Sequence, residues 1–153
     1  MLHVESTRRL GPANYQARVQ AGALVDDTVF AVTFRQEPVY LVAYDPAKHR
    51  VTDAWEVPVA EYSDSPGAWN VVAYDDRYLY TVMQSPAEMF RFDRETETFD
   101  RVARLPDTAD RVSGCKGIDV RDGRLFFATK NDPAVYEFDH DADALRKIGP
   151  PHP

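Results

Sequence analysis

Gly117-Ile118-Asp119-Val120-Arg121-Asp122-Gly123-Arg124-Leu125-Phe126-Phe127-Ala128-Thr129 crosses from one apolar run to another through an Asp-Gly pair. Asp-Gly accepts the positive backbone torsions of a tight hairpin turn, so the two runs read as adjacent antiparallel strands. The pattern recurs upstream. Residues 27–58, 76–106 and 123–151 can be laid under one another, each opening at an acidic or glycine turn: Val25-Asp26-Asp27, Tyr74-Asp75-Asp76 and Arg121-Asp122-Gly123. An apolar strand follows, then a polar turn ending in Pro38, Pro86 or Pro133. A second strand then closes on an aromatic and an aspartate: Tyr44-Asp45, Phe92-Asp93, Phe138-Asp139.

After another polar turn comes a more charged strand, at 50–57, 98–105 and 144–148, each stopped by Pro58, Pro106 or Pro150. One further strand precedes each acidic turn, at 18–25, 70–74 and 117–120. The repeat is therefore four strands, with a period between closing aspartates of 48 and then 46 residues. Eleven prolines interrupt most windows long enough for a helix. One local competitor exists, because Ser85, Pro86 and Glu88 fit a helix start over 86–98. The repeat places strand there instead. The predicted class is all-β, three four-stranded antiparallel units in a single domain over 1–153: about 13–58, 69–106 and 116–151, with 4–10 as an extra outer strand.

The phrases Val42-Ala43-Tyr44-Asp45-Pro46-Ala47-Lys48 and Val135-Tyr136-Glu137-Phe138-Asp139, with the hairpin quoted above, make the chain resemble the β-propeller repeat superfamily, in particular its kelch-like, quinoprotein-like and gluconolactonase-like blades of bacterial type. Neither a Gly-His with Trp-Asp pair nor a diglycine is present, and no Glu, Asn and Asp metal set falls in assignable positions. The resemblance implies blades packed face to face around a channel. Middle strands should then be apolar on both sides, as 28–34, 78–83 and 125–129 are, and outer strands half polar.

A formal charge of -7 disfavours nucleic acid and anionic membranes as partners. No apolar run approaches a membrane span and residues 1–10 are too polar for a signal peptide, so the chain reads as cytoplasmic. One cysteine, Cys115, leaves no internal disulfide.

Blade topology sorts the polar residues onto two faces. One gathers Arg35, Gln36, Tyr62, Trp69, Asn70, Gln84, Cys115, Lys116, Lys130 and Asn131. It carries the longer loops, 59–68 and 107–115, and is the expected ligand-binding face. Trp69 and Tyr62 can stack on a sugar or aromatic ligand, or Trp69 can plug a blade interface. Cys115 beside Lys116 is either an activated thiolate or a small loop residue. The other face holds Asp45, His49, Asp93, Glu95, Asp139, His140, Asp141 and Asp143, whose recurring aspartates read as turn caps. His3, His49, His140 and His152 lack metal-ligand spacing, two of them sitting in solvated turns, so neither metal nor cofactor is expected.

Three blades do not close a ring, which typically needs four to eight. The expectation is a subunit that self-associates, as a homodimer of six blades, and binds a small molecule or carbohydrate on the top face. Two alternatives stand beside it. One is a lactonase, lyase or cyclase in which Arg35, Asn70, Lys116 and Lys130 stabilise an anionic intermediate. The other is a protein-interaction scaffold.

Overall fold

A computed structural model describes residues 18–34, 38–59, 70–82, 88–104, 115–129 and 134–149. Twelve strands are found there and no helix. They form three consecutive meanders: β1 (Arg18–Val25), β2 (Thr28–Phe34), β3 (Tyr40–Asp45) and β4 (Arg50–Glu56); β5 (Asn70–Ala73), β6 (Tyr78–Val82), β7 (Glu88–Asp93) and β8 (Thr98–Arg104); β9 (Cys115–Arg121), β10 (Arg124–Thr129), β11 (Val135–Asp139) and β12 (Ala144–Gly149). Each meander is one four-stranded antiparallel sheet in sequence order. The chain is thus an all-β, three-bladed part of a propeller. The helix considered over 86–98 is replaced by strand and turn over the described 88–97, and the extra strand at 4–10 lies outside the described residues.

The turns form for the reasons their residues supply. Asp26 and Asp27 at φ 46° and 62°, and Asp122 and Gly123 at φ 51° and 71°, place both central residues in the left-handed region, the torsions of a type I′ hairpin. Asp45, Asp93 and Asp139 cap the turns after β3, β7 and β11: their carboxylates accept from the backbone N–H of Lys48, of Glu95, and of Asp141 and Ala142. His49, Glu97 and Asp143 end those turns at φ 51°, 55° and 47°. The repeat therefore extends to backbone torsions.

The first strands lie side by side, β1 against β5 and β5 against β9, so the blades fan out from a shared inner edge. Two cores fill the gaps. Phe30, Val32, Leu41 and Ala43 of the first blade pack on Leu79, Phe90 and Phe92 of the second. Tyr80, Val82 and Met89 of the second pack on Leu125, Phe127, Tyr136 and Phe138 of the third. A strand buried on both faces is apolar at successive positions, as Leu79-Tyr80 of β6 and Met89-Phe90 of β7 are.

Candidate functional site

Of the residues expected on the ligand face, Arg35, Gln36, Tyr62, Trp69, Gln84, Lys130 and Asn131 lie outside the described residues. Asn70 opens β5 opposite Val82, and Cys115 opens β9 opposite Thr129. Lys116 sits in the register shift beside it. These three backbone positions share the inner-strand end of that face.

The opposite face is described in full at its turns. Arg77 grips Asp93 through two nitrogens, its closer oxygen at 2.6 Å, and the hydrogen bond draws the Asp93 carboxyl down to about 2. Between the second and third blades, Tyr80 is fully buried. Its hydroxyl lies 2.5 Å from Nδ1 of His140, and burial raises its pKa far above that of an ordinary phenol. Arg91 opposes that rise in part. His140 is stacked on Tyr74 at 4.4 Å, and the Tyr74 hydroxyl donates to the Gly123 carbonyl at 2.8 Å. The expectation of solvated turn histidines thus fails for His140: three tyrosines pack against its ring.

Two residues before each closing aspartate, the three blades differ most in chemistry. In β7 this position is Arg91, which pairs with Asp143 of the next blade at 2.9 Å and with Asp100 of its own outer strand at 3.5 Å. In β11 it is Glu137, 5% exposed and held by Arg124 and Arg146, each at 2.7 Å. The hydrogen bond from Arg146, helped by Arg124, keeps its carboxyl below the usual glutamate range. In β3 it is Ala43.

The missing side chain leaves an open cleft of about 190 Å³ between the first and second blades. Phe30, Trp55 and Phe92 form its aromatic wall, Trp55 lying 6.4 Å from Phe30 and 4.9 Å from Phe92. Arg94, Asp53 and Glu97 line it as well. Arg94 lies in the cleft over the Phe30 ring at 5.2 Å, and pairs with Asp26 at 3.4 Å and with the Asp76 carbonyl. Sequence reading missed Trp55, treating its strand as a charged edge, and missed the cleft. The repeat alignment held the signal, since an alanine stands where the other blades have a long charged side chain. Among the described residues no three His, Cys, Asp or Glu side chains are grouped as a metal site, and no helix is long and apolar enough to cross a membrane.

Three meanders joined at their inner strands, with outer edges diverging, define part of a β-propeller, and comparison with solved structures agrees. Virginiamycin B lyase from Staphylococcus aureus, solved as a catalytically inactive variant with quinupristin, is similar at a TM-score of 0.71 and 13% identity, over 93% of this chain and 44% of that one. The WD40 domain of Toxoplasma gondii coronin gives 0.60 and 17%, over 88% and 35%. The β-propeller domain of Myceliophteria thermophila Swd1 gives 0.61 and 13%, over 89% and 45%. The chain therefore spans less than half the length of these propellers. No protein-family model and no curated protein matches the sequence.

Proposed function

We propose that the chain is a ligand-binding propeller subunit whose ring is completed by a second copy, giving six blades. One observation carries this reading. The end blades present, to no partner within the described residues, the same positions that are buried at the internal junctions. Val29, Val42 and Tyr44 of the first blade are half-exposed, whereas their counterparts Leu79, Phe90 and Phe92, and Leu125, Tyr136 and Phe138, are buried. On the last blade Phe126 is half-exposed and Val135 38% exposed, where Tyr80 and Met89 are buried. Head-to-tail contact of these faces, made twice in a two-fold dimer, closes the ring.

The ligand is a small molecule or carbohydrate held by the top-face residues, from Arg35 and Trp69 to Lys116 and Lys130. Long loops on a rigid scaffold support that assignment. A thermal-shift panel of sugars and small metabolites identifies ligands by mass action on stability. Lys116→Ala, Lys130→Ala and Trp69→Ala are expected to weaken the hits, and unaltered binding by all three defeats the top-face assignment. A second reading, a lyase-type enzyme using Arg35, Asn70, Lys116 and Lys130, draws its support from the structural likeness to a lyase; turnover of the hits decides it.

A further inference from the structure

The cleft at Ala43 has an internal template. At the corresponding place in the second blade, the Arg91 guanidinium lies over the Tyr78 ring at 5.7 Å, with Asp100 across the strand pair and Asp143 reaching in from the following turn. Each acidic partner has a counterpart around the cleft. Asp53 is the cross-strand partner of Ala43 as Asp100 is of Arg91. Glu97 ends the following turn at φ 55° as Asp143 does at 47°. Phe30 occupies the place of Tyr80, and Thr28 replaces Tyr78, with Trp55 supplying a ring from the outer strand.

The two carboxylates have no cation of their own: among the described residues no ion pair forms with Asp53 or Glu97, and the cleft's resident cation, Arg94, covers the Phe30 ring and pairs with Asp26, which leaves Trp55 as the free aromatic wall. A planar delocalised cation beside aromatic faces and between two acceptors is weakly hydrated and bonded along its edges. An ammonium is compact and holds its water more strongly.

We propose that the cleft between the first and second blades binds a guanidinium group, carried by a small molecule or by an arginine side chain of a peptide. The site lies on the face opposite the top-face loops and is contained within one chain, so it stands or falls independently of ring completion.

The full-length chain is titrated with agmatine, with cadaverine as the ammonium control, and with acetyl-Gly-Arg-Gly-amide and its lysine counterpart. Binding is followed calorimetrically and by tryptophan emission. Saturable agmatine binding is expected with a Kd below about 10 mM, at least about tenfold tighter than cadaverine. A peptide about tenfold tighter than agmatine identifies an arginine side chain as the natural source; equal affinities identify the free small molecule. Asp53→Asn with Glu97→Gln is expected to weaken agmatine about tenfold or more. Ala43→Arg, which supplies its own guanidinium, is expected to fold, to raise the melting temperature and to abolish agmatine binding. Absence of saturable binding by both guanidinium probes overturns the proposal, as does binding that survives unchanged in Ala43→Arg or in the double variant. Should the double variant unfold, Ala43→Arg alone decides.

Discussion

Phe92 and Phe138 occupy the same repeat position at the two internal junctions, and truncating each to alanine separates packing from accessibility. Both are at most 1% exposed. Phe92 contacts Trp55 at 4.9 Å and Phe99 at 4.8 Å; Phe138 contacts Tyr80 at 5.7 Å. Removing a buried phenyl costs about 3 to 5 kcal/mol, the upper part arising from the cavity left behind. At Phe92 that cavity opens into the existing cleft, whose wall Phe92 forms, so water and side chains can enter it. A cost near 3 kcal/mol is expected. Phe138 is enclosed between blades, and its cavity stays empty, which places the cost nearer about 5 kcal/mol. Either loss is a large part of the roughly 5 to 15 kcal/mol that holds a domain together. Urea titration followed by circular dichroism, with an unchanged m-value, measures both. A Phe138→Ala cost below about 1 kcal/mol, or a Phe92→Ala cost exceeding it, refutes the packing argument.

Tyr80→Phe removes the buried hydroxyl that bonds His140 and is expected to cost about 1 to 3 kcal/mol, because the His140 ring nitrogen loses its partner between the blades; a cost of a few tenths in urea titration contradicts the contact. Asp93 has a folded-state pKa of about 2, below its ordinary 3.8, so its contribution is complete above pH 4 and vanishes as pH falls through 2. Arg77→Gln should therefore lower the melting temperature at pH 6 by more than at pH 2, and an equal deficit at both values counts against the pair. Glu137→Ala leaves Arg124 and Arg146 without their shared carboxylate and should destabilise the last blade, which hydrogen exchange across β10 to β12 detects as lost protection; unchanged protection contradicts the triad.

The fold was legible because it is written three times. A turn acid, an apolar strand, an aromatic-aspartate close and a terminating proline each carry a local physical preference, and their recurrence outweighed the helix signal at Ser85-Pro86. The caps at Asp45, Asp93 and Asp139 followed from the same recurrence. The cleft did not, because it arises from a residue too small for its place: Ala43 carries no chemistry until β7 shows what the neighbouring blade puts there. His140 was misjudged for a related reason. Its turn is polar in sequence, but Tyr74 and Tyr80 come from the preceding blade, 66 and 60 residues away in the chain. Patterns within one blade predict strands; contacts between blades depend on which faces meet. Trp55 lay in a strand read as an edge, and only the junction with Phe92 makes it a wall.

On the reading proposed above, the exposed faces of the first and last blades, marked by half-exposed Tyr44 and by Val135, belong to a junction between copies. Sedimentation equilibrium of the full chain at micromolar concentration tests it most directly. A species of twice the 17.4 kDa chain mass that persists until unfolding is expected, and a stable, folded monomer of 17.4 kDa contradicts the junction.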